Sequence, residues 1–229
     1  MRVLADDREI WIDVDGSGLP LVLLPGGPGL ASDYLDPLAS LLRRTHTVVQ
    51  VDPRGCGRSS RRGPYEIDAL LADLEAVRHE LGYARWRVVG HSFGGDLALA
   101  YAVTRPDSVT DVYALAPTGV QDDRDWHSAY DRARSTEEPV ATAHPIDPEV
   151  SAATLASWRR WIKRPHLLRQ IADLTVPYVA VVGSHDIRPS WPTSQVAMLA
   201  PRGNLAVIEG ATHDVWLHVE ELVRILGRT

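Results

Sequence analysis

Short, nearly continuous apolar runs alternate along this chain with longer stretches in which apolar residues return every three or four positions. Leu19 to Leu24 is almost unbroken, the mark of a strand covered on both faces. Comparable runs lie at Thr47 to Val51, Trp86 to Val89, Val109 to Ala116, Pro177 to Val182 and Asn204 to Ile208. Glu9 to Val14 alternates instead, and Asp15-Gly16-Ser17-Gly18 after it predicts a turn. Helical spacing fills the gaps at Ser32 to Leu42, Ile67 to Leu81, Phe93 to Thr104, Ser190 to Leu199 and Asp214 to Leu226. Gly82 ends the second of these and Pro106 stops the third. The alternation predicts a mostly parallel central sheet flanked by helices, an α/β architecture. From about Thr118 to Leu174 the rhythm breaks. Two helical pieces, Trp126 to Ala133 and Ser151 to Ile162, follow one another with no strand between. The expectation is one domain over residues 1–229 with a small helical lid inserted at about 118–174.

Composition narrows the partners. With 229 residues and 45% apolar content the chain can bury a sizeable core. Its formal net charge of −6 argues against nucleic acid. The run Trp158-Arg159-Arg160-Trp161 mixes aromatic and basic side chains, yet it reads better as an amphipathic lid helix with its tryptophans inward. A single cysteine, Cys56, excludes an internal disulfide framework. No apolar leader and no run near the roughly 20 residues of a membrane span are visible. The expectation is a cytoplasmic protein with a small-molecule substrate, no membrane association and no cofactor.

The chemistry concentrates at Gly90-His91-Ser92-Phe93-Gly94, which fits G-x-S-x-G between a predicted strand and a predicted helix. In that setting Ser92 is the candidate nucleophile, and His91 is expected to pack beside the turn. Pro25-Gly26-Gly27-Pro28-Gly29 follows the first apolar strand. A serine hydrolase needs two backbone N–H donors for its oxyanion. Phe93 and Gly27 are the candidates, because Pro28 has no N–H. The same loop could instead cradle a dinucleotide, with Asp52 as its ribose ligand, but the third glycine of that fingerprint is missing. For the base and its acid, the order Ser, Asp, His picks out Asp186 and His213, each just past a predicted strand. Histidine spacing matches no metal motif, so no metal is expected. Cys56, between two glycines, reads as a small turn residue. Arg54 and Asp52 read as structural ties beneath the site. Glu137, Glu138 and Glu149 are candidate ligands for a substrate ammonium, and Trp158 a candidate pocket wall.

At these residues the chain resembles the α/β-hydrolase superfamily over nearly its whole length. Gly26-Gly27-Pro28-Gly29 and Asp52-Pro53-Arg54-Gly55-Cys56-Gly57-Arg58-Ser59 further resemble the proline iminopeptidase family, with Pro25 and Pro53 standing where that family carries histidine and glutamine. The resemblance implies the α/β-hydrolase fold, a Ser92–Asp186–His213 triad and an oxyanion hole from Gly27 and Phe93. It also implies a lid whose acidic residues bind a free N-terminal amine. The residues themselves leave three activities open: an aminopeptidase-like hydrolase, an esterase or lactonase on small acyl substrates, and a non-catalytic binding protein on a hydrolase scaffold.

Overall fold

The computed structural model describes residues 1–120, 124–134 and 145–227. Eight strands form one sheet in the order β1-β2-β4-β3-β5-β6-β7-β8. They are β1 (Arg2–Ala5), β2 (Arg8–Gly16), β3 (Leu19–Leu24), β4 (His46–Val51), β5 (Trp86–His91), β6 (Val109–Leu115), β7 (Tyr178–Gly183) and β8 (Gly203–Ile208). β1 and β2 pair antiparallel, as do β2 and β4; the remaining six strands run parallel.

The period-two alternation of a strand explains why the central runs are apolar throughout. Val22 and Leu24 of β3, Val88 of β5, and Val112 and Ala114 of β6 enter one core layer. Their neighbours Leu21, Leu23, Val89, Tyr113 and Leu115 enter the layer on the opposite face. The first layer is closed by α2 (Ile67–Glu80), α3 (Phe93–Thr104) and α5 (Pro148–Trp161), and the second by α1 (Asp36–Leu42) and α8 (Val219–Leu226).

Several elements differ from the sequence expectation. β1 has no counterpart among the strands that the apolar pattern predicts. The expected helix from Ser32 is a 3₁₀ turn at Asp33–Leu35 running into α1, and the expected helix from Asp214 splits into a 3₁₀ turn at Val215–Leu217 and α8. Between β6 and β7 the described residues form α4 (Arg124–Arg134), α5 and a further short helix, α6 (Leu167–Ala172), with no strand among them. α7 is Trp191–Leu199. In α5 the inward tryptophans match the amphipathic reading: Trp158 and Trp161 are buried and stacked, with ring centroids 5.3 Å apart. Arg160 and Arg164 reach Glu66 and Asp68 at the start of α2. The Ser157 hydroxyl donates to Glu66 and accepts from the Ile67 N–H, so it caps α2 from across the interface.

Asp96 in α3 is 1% exposed and accepts from the N–H groups of Thr118 and Gly119 and from the Thr118 hydroxyl. Burial pushes it up to about 7 against the pull of those hydrogen bonds. Folded protein therefore retains a proton that the unfolded chain has lost between the ordinary carboxylate range and about pH 7. This group's contribution to stability falls as pH rises through that window and is level above it. Asp96→Asn should flatten the pH dependence of the unfolding free energy between pH 5 and pH 8, read by urea denaturation. A slope equal to the parent's would show that Asp96 does not titrate there.

Candidate active site

The sheet order sets the location. From β3 the chain steps outward to β4, then returns across β3 to β5, so the connections diverge between β3 and β5. In parallel sheets the crevice beyond the carboxyl ends at such a point receives ligands. Leu24 pairs with Gly90 in the register, so the loop after β3 and the turn after β5 emerge side by side. That turn is tight: a Cβ on Gly90 would lie 2.1 Å from the Gly94 carbonyl, and one on Gly94 would lie 2.4 Å from the Leu24 carbonyl. Only glycine allows α3 to start so close to the sheet. Ser92 takes φ 54° and ψ −124°, a conformation strained for a residue with a side chain.

The loop Pro25–Gly29 lies against this turn, and a Cβ on Gly26 would come within 2.9 Å of the Ser92 Cβ. Gly27 has φ 108°, which a glycine alone adopts without strain. Among the described residues the N–H groups of Gly27 and Phe93 have no hydrogen-bond partner, whereas the Gly26 N–H donates to Tyr34 Oη at 2.7 Å. The Phe93 ring meets Trp158 edge-on at 6.1 Å. Trp158 is thus a core residue supporting the start of α3.

Asp186 and His213 come from the loops after β7 and β8. The two loops are pinned together by the Ser184 N–H on the Ile208 carbonyl, the His185 N–H on the Ala211 carbonyl and the Gly210 N–H on Ser184 Oγ. His213 Nδ1 lies 2.8 Å from Asp186 Oδ2. Asp186 Oδ1 accepts from the Arg188 N–H at 2.9 Å and from its guanidinium at 3.3 Å. Burial opposes ionisation of Asp186, but the His213 hydrogen bond and charge and the Arg188 contacts outweigh it and hold the carboxyl below its usual range. An ionised carboxylate only accepts, so the hydrogen of this contact sits on Nδ1, and Nε2 is the ring nitrogen not engaged by Asp186.

No hydrogen bond joins Ser92 to His213. Their link runs through His91, whose ring lies 5.0 Å from that of His213. His91 Nε2 donates to the His213 carbonyl at 3.1 Å, and the Tyr34 hydroxyl, 2.8 Å from His91 Nδ1, donates to it. Burial above all, then the adjacent His213, lowers the His91 imidazole to about 3, so it stays neutral and keeps this tautomer. One unbroken chain, Gly26 N–H to Tyr34 to His91 to the His213 backbone, ties together the three loops that carry Gly27, Ser92 and His213. Nothing in the local sequence around Tyr34 marks this role; it depends on contacts 57 residues apart.

The other candidates separate. Glu137 and Glu138 lie outside the described residues. Glu149 is exposed in the first turn of α5. Cys56 is 2% exposed, and burial, reinforced by Asp52 and Asp147, pushes its thiol up to about 12, which leaves no thiolate for nucleophilic work. Asp52 is spent internally, on the Ser32 N–H and hydroxyl and on Arg58, which removes the ribose ligand that a dinucleotide loop would need. Among the described residues no group of three or more His, Cys, Asp or Glu side chains is placed to hold a metal ion, and no helix is long and apolar enough to cross a membrane.

Residues 20–140 match the family model described as alpha/beta hydrolase fold, more than half of the chain. The chain belongs to this family. Among curated relatives, a proline iminopeptidase of Xylella fastidiosa is 36% identical over 117 residues, which are 47% of this chain and 36% of the relative. The curated relatives it matches are longer proteins, and the aligned part spans less than half of their length. A solved proline iminopeptidase of Mycobacterium smegmatis superposes with a TM-score of 0.77 at 21% identity, covering 99% of this chain and 95% of that one. An enol-lactonase of Burkholderia xenovorans superposes with a TM-score of 0.78 at 18% identity, covering 99% and 98%. At these identities the two structures establish the α/β-hydrolase fold of this chain.

Proposed function

We infer that this α/β-hydrolase cleaves a small ester or amide through an acyl-enzyme on Ser92. The observation that carries the reading is the Asp186–His213 contact at 2.8 Å, at the same sheet edge as a serine held at φ 54°. In this mechanism His213 Nε2 takes the Ser92 proton as Oγ bonds to the substrate carbonyl carbon. The carbonyl electron pair moves onto oxygen, where the Gly27 and Phe93 N–H groups receive it. Asp186 stabilises the imidazolium. As the tetrahedral species collapses, the bond to the leaving group breaks and His213 returns its proton to that group. Water, deprotonated by the same imidazole, then releases the acid.

The matched relatives are named proline iminopeptidases, which supports a free amino acyl group such as proline as one substrate class. The esterase or lactonase reading rests on the shared fold alone. Turnover of proline arylamide against p-nitrophenyl acetate separates them: hydrolysis of the ester only excludes the peptidase. Failure of both, with no fluorophosphonate label on folded protein, would return the chain to a binding role.

The Tyr34–His91 chain yields a narrower test. Tyr34→Phe removes the hydroxyl between the Gly26 N–H and His91 while keeping the ring. The expected result is a kcat lower by about 10- to 100-fold with KM little changed, since the loss falls on the placement of oxyanion donor and base. An equal rise in KM at constant kcat would assign Tyr34 to substrate binding instead.

A further inference from the structure

Behind the Pro25–Gly29 loop lies an apolar cavity in which the centre of a water-sized sphere can occupy about 30 Å³. Gly26 and Phe93, the neighbours of Ser92, line it together with Leu74, Leu97, Val150 and Thr154. Two charged residues also border it, Arg54 and Asp73, but they are bound to each other at 2.6 Å through two parallel hydrogen bonds. Thr154 differs. It is 1% exposed, and its hydroxyl has no hydrogen-bond partner, not even a carbonyl of its own helix. A buried hydroxyl left in that state costs free energy, and a ligand atom that meets it recovers the cost.

We propose that this cavity is the acyl pocket of the enzyme, selecting a short apolar acyl chain that carries one hydrogen-bonding oxygen for Thr154. The proposal rests on the acyl-enzyme reading above. A carbonyl carbon on Ser92 Oγ, its oxygen at Gly27 and Phe93, has Gly26 and Phe93 as immediate neighbours, and both of these residues line the cavity. Its free volume accommodates roughly two or three water-sized groups, which corresponds to an acyl chain of about three or four carbons. Longer chains meet Leu74 and Leu97 in the packed core.

The test is a chain-length profile with p-nitrophenyl acetate, butyrate, 3-hydroxybutyrate and octanoate. For the parent enzyme kcat/KM should be at least about tenfold higher for butyrate than for octanoate, and 3-hydroxybutyrate should equal or exceed butyrate. Thr154→Val keeps the volume and removes the unpartnered hydroxyl. It should fold at least as well as the parent and lose about tenfold on 3-hydroxybutyrate with little change on butyrate. Thr154→Leu should fill the cavity and cut butyrate turnover about tenfold while acetate changes less than about threefold. Parent-like profiles in both variants, with Ser92 still labelled by fluorophosphonate, would overturn the pocket and leave the mechanism standing. Absence of Ser92 labelling and of all ester turnover in the parent would instead overturn the mechanism on which the pocket depends.

Discussion

Ser92→Ala is expected to lower kcat by about 10⁴- to 10⁶-fold and to abolish fluorophosphonate labelling. At roughly 1.4 kcal/mol per decade this is about 5–8 kcal/mol of transition-state stabilisation lost with one oxygen atom. Folding should not register the change. The Ser92 side chain makes no hydrogen bond with the described residues, the Cβ beside Gly26 is retained, and alanine is strained at φ 54° as serine is. Ser92→Gly sharpens the point. Glycine adopts that backbone conformation freely, so this variant should be as inactive as alanine yet about 1 kcal/mol more stable. Thermal melting and single-turnover hydrolysis, measured on all three proteins, check both halves. A substantial residual rate in Ser92→Ala would place the nucleophile elsewhere; a drop in melting temperature in Ser92→Gly would show that the turn is not strained.

That strain explains part of what the sequence makes legible. A serine forced to φ 54° needs small residues around it, so Gly90, Gly94 and Gly95 leave a pattern that can be read without coordinates. Parallel strands buried on both faces leave another, because β3, β5 and β7 cannot carry the polar alternation of a half-exposed strand. The loops bearing Asp186 and His213 are placed by strand order alone. β1 escapes notice because only Val3 and Ala5 of its four residues are buried. α6 escapes because six residues are too few for a helical period. The Tyr34–His91 chain escapes for a different reason. Its members lie on separate elements, and each looks locally like an ordinary core aromatic. Trp158, an aromatic at helical spacing near the site, is buried with its ring edge-on to Phe93, a contact between α5 and the start of α3 that helical spacing alone does not specify. The acidic candidates Glu137 and Glu138 fall outside the described residues, so the amine-binding role implied by family resemblance stays with the arylamide assay.

The second large effect is on stability. Arg54 is 1% exposed and holds Asp73 through Nε and Nη2, both at 2.6 Å, while Nη1 donates to the Pro64 carbonyl and Nη2 also to that of Ala69. This fork fastens the turn after β4 to α2, and both residues line the same cavity as Pro25 and Gly26 of the loop that carries Gly27. Arg54→Met should cost about 3–5 kcal/mol, because it leaves the Asp73 carboxylate buried without its partner. In a chain of this length that is a fall of roughly 10 °C in melting temperature. Arg54→Lys should lose much of the same, since an ammonium cannot make two parallel bonds and reach two carbonyls at once. The double variant Arg54→Met/Asp73→Leu removes both charges and should recover most of the loss, as the wall they share with Leu74 and Leu97 is already apolar. Urea midpoints at constant slope give the stabilities, and fluorophosphonate labelling of Ser92 reports on the site separately. A double variant no more stable than Arg54→Met would mean that the contacts of Arg54 to Pro64 and Ala69, not the relief of a stranded carboxylate, are what the turn depends on. Recovery of stability together with normal labelling would show that the ion pair acts on the fold alone and that the chemistry at Ser92 does not draw on it.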